Sequence, residues 1–216
     1  MRARVFVAAT AVAAVSVAVG VYGRAPQART TSSSLVTQCG SERWGVKTLT
    51  DTAAPLVRFE AVKASTVDRL RRLKTPSVLK ATTPRRAGAE RTVYRVTALL
   101  MSMRKEDDSD LHLVISDPKL GGSMIVEFPS STCTTGGNKT ERRAMRQARA
   151  DLASACGGEV GSSPVRLTGT ATITGVGFFD VIHGQTGVAP NGIELHPALT
   201  FASTNCKRVS STRRRG

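Results

Sequence analysis

Histidines set among carboxylates are the residues of this chain with the most chemical potential. There are three in 216 residues, and each lies in or beside a turn. His112 follows the acidic run Glu106-Asp107-Asp108-Ser109-Asp110. His183 and His196 share the stretch Gly175–Phe201 with Asp180, Asn191 and Glu194. Imidazoles mixed with carboxylates can hold a divalent cation, and a site with an open position can activate water. His183, His196, Glu194 and Asp180 are the candidate metal set. Their spacing is permissive and matches no tight ligand motif, so histidines that lock a loop are the plainer reading. No cofactor is expected beyond such a metal. The acidic run could offer oxygen ligands to calcium, but it lacks the spaced glycine and terminal Glu of an EF-hand loop, so a solvated turn is the plainer reading there. There is no G-x-S-x-G nucleophile elbow. Gly175-Val176-Gly177 and Gly184–Gly187 open no helix, which argues against a phosphate-cradling loop.

The elements that must position these residues follow from periodicity. Thr92–Arg104 is expected to be a long strand covered on both faces for part of its length. In Leu111–Ser116, Leu111, Leu113 and Ile115 alternate with His112, Val114 and Ser116, so His112 points away from the apolar face. Ser123–Phe128 reads as a third strand. Thr140–Ala155 reads as a helix ended by Gly157-Gly158, with Met145, Ala148, Leu152 and Cys156 on one stripe. Val165–Val176 has period two, and Ile193–Phe201 is the last strand, with His196 off its apolar face. Upstream, Trp44–Asp51 reads as a short strand with Trp44 as a core anchor, and Leu56–Val62 as extended. Residues 66–74 read as a helix entered through a Ser65–Asp68 capping box.

From residue 92 the order is β-β-β-α-β-β. That is the order of an OB-like barrel, a five-stranded Greek-key fold. The predicted class is mainly β with one or two helices. The alternative is an α+β open antiparallel sheet with the helix laid on it; closure is favoured because it protects the edges of a small sheet. Residues 39–91 are expected to be an N-terminal extension packed on a barrel of residues 92–206. In an OB-fold the loops between strands one and two and between strands four and five flank the ligand face. Here they are Glu106–Asp110 and Gly175–Gly192. The candidate ligand-binding residues are therefore Asp107, Asp108, Asp110, His112, Asp180, His183, Asn191, Glu194 and His196.

The ends speak to location. Residues 1–23, with Arg2 and Arg4 before the uncharged run Val5–Gly23, read as an export signal, either a cleaved peptide or a retained membrane anchor. Residues 24–38 read as a flexible linker and 207–216 as a basic disordered tail. Cys39, Cys133, Cys156 and Cys206 lie after the signal, where the compartment is oxidising, so two disulfides are expected. The expected pairs are Cys133–Cys156 and Cys39–Cys206. The chain is expected to be extracytoplasmic (secreted, periplasmic or anchored by its N-terminal segment), to touch a membrane only there, and to be monomeric. A formal net charge of +15 would draw polyanions by long-range attraction. Much of it sits in peripheral runs, and it lacks interleaved aromatics for stacking bases.

Several phrases carry a resemblance. Cys39-Gly40, Arg43-Trp44, VKTLTD (46–51), EDDSDLHLVISD (106–117), MIVEFP (124–129) and GVGFFDVIHGQTGVAPNGIELHP (175–197) together resemble a widespread family of uncharacterised exported bacterial proteins, over roughly residues 39–203. The resemblance implies export and assigns no catalytic role. The barrel order is also similar to that of staphylococcal-type nucleases, but their arginine-and-acid active-site pattern is absent. Three functions remain in view. The first is an exported, disulfide-stapled binding module whose ligand is a polyanion or oligosaccharide. The second is a metal-dependent hydrolase, such as a nuclease, using the histidines and carboxylates. The third is a structural envelope protein.

Overall fold

A computed structural model describes residues 39–209. The expected signal or anchor (1–23), the linker (24–38) and residues 210–216 of the tail lie outside the described residues. The elements in chain order are α1 (Trp44–Lys47), β1 (Arg58–Ala64), α2 (Val67–Arg71), β2 (Thr92–Lys105), β3 (Leu111–Ser116), β4 (Ser123–Phe128), α3 (Lys139–Ala155), β5 (Val165–Thr168), β6 (Thr170–Phe179), β7 (Ile193–Ala202) and β8 (Lys207–Arg208).

Five of these strands close into the OB-like barrel. Pairing runs β2–β3–β4–β7–β6 and back to β2. Four of the contacts are antiparallel and β4–β7 is parallel, so the set is not wholly antiparallel. β2 makes closure possible because it is long enough to serve two partners. Val93–Leu99 pair with β6, and Leu99–Lys105 pair with β3, with a register shift between Leu100 and Ser102. The open-sheet alternative is thereby excluded. Alternation fills the interior: Leu111, Leu113 and Ile115 of β3, Met124, Val126 and Phe128 of β4, and Ile193 and Leu195 of β7 are fully buried. Each such side chain contributes about 1.5–3 kcal/mol by leaving water. β2 is covered on both faces only at its start, where Thr92, Val93 and Tyr94 are all buried; beyond Tyr94 one face is open. Val96, Ala98 and Leu100 face in, while the apolar Leu99 and Met101 face solvent, which hides the period in the sequence.

α3 packs against β7 and β4, burying Met145, Ala148 and Leu152. Asn138 caps its N-terminus by accepting from the Thr140 amide at 2.8 Å. Arg149 points inward too; its Nη1 donates to the carbonyls of Ser109 and Phe128 at 3.0 and 2.9 Å, tying the helix to the β2–β3 turn.

The disulfide pairing differs from the expectation. The bonds are Cys39–Cys133 and Cys156–Cys206. Cys156 is buried, as its stripe predicts. But α3 is 17 residues long and stands between Cys133 and Cys156, a rise of about 25 Å. Disulfide Cα atoms must come within about 7 Å. Here they lie 5.6 and 5.1 Å apart. The first bond therefore staples the N-terminal segment to the β4–α3 loop, and the second ties the end of α3 to the segment after β7.

Other local expectations are corrected. Trp44–Asp51 opens with the helical turn α1, not a strand, and Trp44 is half-buried; its neighbour Arg43 is the buried anchor. α2 is shorter than expected, and its cap is Thr66, whose Oγ1 accepts from the Arg69 amide at 3.1 Å. Val165–Val176 is split into β5 and β6 at Gly169, where φ is +106° and a Cβ would fall 2.3 Å from the Asn205 carbonyl oxygen. Lys207 and Arg208 form β8 against β5, and the Arg208 guanidinium donates to the Cys156 carbonyl at 2.8 Å, so the tail does not begin at residue 207.

Candidate functional site

The strand registers build a row of charged residues on the outside of the barrel. His112 of β3 stands directly opposite Glu127 of β4. Val126 and Ile125 of β4 pair with Leu195 and Glu194 of β7, and Glu194 pairs in turn with Phe178 of β6. An outward residue on a barrel is normally exposed, but these are not. His112 and His196 are 2% and 1% exposed, and Glu127, Glu194 and Asp180 are buried as well. The α1 segment supplies part of the cover. Lys47 at the end of α1 reaches Asp180 at 3.4 Å and lies over the Phe178 ring at 5.4 Å. Arg43 anchors that segment: its guanidinium grips Glu90 through two hydrogen bonds of 2.9 and 2.7 Å and stacks 4.5 Å from the centre of Phe178.

A cavity of about 450 Å³ opens over this row. Its lining draws on both expected loops, with Glu106, Asp107 and Asp108 from one and Asp180, His183 and Gln185 from the other. Lys47, His112, Glu127, Glu194 and His196 also line it, with Glu42, Arg104 and Lys105 completing the charged part of the wall.

Each buried charge has an identifiable counterpart. His112 Nε2 donates to the Thr186 carbonyl at 2.9 Å, and its Nδ1 lies 2.6 Å from Glu127 Oε1. Since Nε2 must carry a proton to meet a carbonyl, the Nδ1 contact needs a second proton, shared by imidazole and carboxylate. Burial resists charge on His112, but the hydrogen bond and charge of Glu127 outweigh it and push its pKa up to about 9. Burial raises Glu127 to about 7. The pair therefore keeps its proton well above neutral pH. His196 sits between two carboxylates, 3.6 Å from Asp110 and 3.8 Å from Glu194. Burial again resists charge and the two carboxylates prevail, raising it to about 9. Both distances exceed a hydrogen bond. Both His196 ring nitrogens, Asp110 Oδ2 and Glu127 Oε2 are buried with no hydrogen-bond partner. Glu194 is raised by burial, and burial followed by the neighbouring Asp110 raises Asp108.

The turn Gly184–Gly192 shapes the roof over β3. Gly187 has φ +85°, and a Cβ there would come within 2.4 Å of Val114, so this position holds the Thr186 carbonyl over His112 only as glycine.

The structure brings most of the expected residues together and sets others apart. Asp107, Asp108, His112, Asp180, His183, Glu194 and His196 line the cavity. Asp110 lies behind it, accepting from the Ser130 amide at 2.9 Å and flanking His196. Asn191 does not line the cavity: its Nδ2 donates to the carbonyls of Leu70 and Leu73 at 3.0 Å each, closing the end of α2. His183 is exposed on the rim. Among the described residues, Asp180, His183, Glu194 and His196 do not form a group of three or more with ligand atoms in mutual reach; Glu106, His112 and Glu127 do, within 4.8 Å. Sequence reasoning missed Glu127 and Lys47 as site residues. Glu127 left a trace as the lone charge in SMIVEF, in phase with the outward Ile125. Lys47 was concealed by reading its segment as a strand.

No protein-family model, curated protein or solved structure matches the chain. Fold and site define its class: an OB-like barrel domain stapled by two disulfides, with a charged cavity at its loop-bearing end. Those disulfides fit an oxidising compartment. Among the described residues no helix is long and apolar enough to cross a membrane.

Proposed function

We propose that this protein is an exported binding module whose cavity between Glu106–Asp110 and Gly175–His196 takes an oligosaccharide. The observation that carries the reading is buried hydrogen-bonding capacity at the ligand face of the fold. Glu127 and His196 line the cavity and hold polar atoms with no partner. A buried polar group left unmet costs about 1–3 kcal/mol, so a ligand that meets it gains that much. Sugar hydroxyls both donate and accept, which suits a wall where carboxylates alternate with imidazole and ammonium groups. Charge favours an oligosaccharide over a polyanion at this place. Carboxylates outnumber Lys and Arg side chains in the lining by seven to three, despite the basic chain as a whole.

The test is titration calorimetry of the oxidised protein against a panel of neutral, amino and acidic oligosaccharides, with chelator present. Saturable binding to one class is expected, weakened at least about tenfold, or about 1.4 kcal/mol, by Glu194→Gln. If no oligosaccharide binds while the protein is folded and oxidised, the reading fails.

A further inference from the structure

We propose that Glu106, His112 and Glu127 form a site for a first-row divalent cation, with Zn²⁺ as its first probe. This is a different set from the one the sequence suggested, and it stands independently of the oligosaccharide reading. All three residues line the cavity, so a cation held there would face it.

Geometry comes first. One donor atom from each residue lies within 4.8 Å of the others. His112 Nδ1 is 3.3 Å from Glu106 Oε1 and 2.6 Å from Glu127 Oε1. A tetrahedral Zn²⁺ with bonds of about 2.0–2.1 Å keeps its donors about 3.3 Å apart. The first separation already matches, and the second needs to widen by about 0.7 Å, a small rotation of the Glu127 carboxylate.

The outer partners are also in place. A metal-bound histidine commonly donates its other ring N–H to a carbonyl or carboxylate, which fixes the tautomer and aims the lone pair. His112 does this through Nε2–H to the Thr186 carbonyl at 2.9 Å, so that Nδ1 is the nitrogen left for a ligand. Ligating carboxylates are themselves held, and Arg104 Nη2 donates to Glu106 Oε1 at 2.6 Å.

Two further observations point to a cation. Glu127 has a side chain only 7% exposed, and its Oε2 has no partner at all. The short Nδ1–Glu127 contact requires a bridging proton, and a cation would replace that proton. Two carboxylates and a neutral imidazole carry a charge of −2, of which Arg104 on Glu106 offsets one, so the buried Glu127 carboxylate is the charge left for a cation to meet. The nitrogen-and-oxygen donor set suits Zn²⁺ or Mn²⁺ and lacks the thiolates of a structural zinc site. Three protein ligands leave a position open toward the cavity, the arrangement in which a bound water or substrate oxygen completes the shell.

The test is calorimetry of the full oxidised chain, stripped of metal, with Zn²⁺ and separately Mn²⁺. One saturable equivalent is expected for at least one of them. Glu106→Gln, whose side chain is partly exposed, should keep the fold and weaken binding at least about tenfold. His112→Ala should abolish it, with circular dichroism reporting whether the barrel persists. His183→Ala should leave it unchanged. No saturable binding of either ion would overturn the proposal. So would tight binding that survives Glu106→Gln and His112→Ala in folded protein, or binding lost on His183→Ala. Because the oligosaccharide titration is run with chelator, either result can fail without the other.

Discussion

Glu90→Gln is the sharpest probe of how this fold holds its site. Glu90 is fully buried, and its carboxylate accepts four hydrogen bonds. Two come from the Arg43 guanidinium at 2.9 and 2.7 Å, one from the Phe179 amide at 3.0 Å and one from the Arg86 amide at 2.7 Å. Glutamine keeps the shape but replaces one oxygen with an NH2 group, which must then face a donor. It also removes the negative charge, leaving the Arg43 guanidinium buried at 1% exposure without its counterion. Breaking one partner of a buried pair costs about 3–5 kcal/mol, since the remaining charge cannot reach water. Unfolding entropy of about 2.1 cal/mol/K per residue, over the roughly 170 residues described, gives about 0.36 kcal/mol/K. The expected fall in melting temperature is therefore about 8–14 °C. Thermal unfolding of the oxidised variant by circular dichroism measures it. A fall of less than about 3 °C in Glu90→Gln, corresponding to about 1 kcal/mol, would refute the reasoning. It would mean that the α1 segment, and Lys47 with it, is not held over the cavity by this pair.

Two other outcomes follow from the same structure. Tryptic peptides of the unreduced protein should carry Cys39 linked to Cys133 and Cys156 linked to Cys206, and Cys156→Ser with Cys206→Ser should cost about 4 kcal/mol by loop entropy for a separation of 50 residues; a Cys133–Cys156 peptide would contradict the topology at the end of α3. His196 is raised from its ordinary value of 6.5 to about 9 against the facing carboxylates of Asp110 and Glu194, with Lys47 opposing. A raised folded-state pKa gives stability that is whole below about 6.5 and is lost as pH rises to about 9. The guanidinium unfolding midpoint should fall across that window, and His196→Gln should lessen the fall, the remainder coming from His112, which is raised to about 9 as well; a wild-type midpoint that is level or rising there would count against a charged His196.

Much of the barrel was legible because its information is local. Leu111–Ser116 and Ser123–Phe128 announce themselves by alternation and bounding turns, and the structure has those strands at those limits. α3 is set by good helix formers, a polar N-cap and a glycine pair at its end. The order of these elements was enough to indicate a closed five-stranded barrel, and closure in turn pointed to the two loops whose residues line the cavity. The outward phase of His112 and His196 was also a local inference, since side chains on a strand alternate.

Whether those histidines meet water was not local. Their faces are buried in part by a segment more than sixty residues upstream of His112, held by Arg43 on Glu90 and by Cys39 on Cys133, and in part by the Gly184–Gly192 turn, whose Thr186 carbonyl lies over His112. A charge pair 47 residues apart and a disulfide 94 residues apart leave no periodicity to read. The same holds for the choice among three disulfide pairings, of which the length of α3 argues against only one, and for Asn191, drawn off to close α2 instead of facing a ligand. The residue types and their faces belong to the sequence. Only the tertiary structure decided which of them share one buried cavity, because burial and charge pairing depend on what the rest of the chain lays over each face.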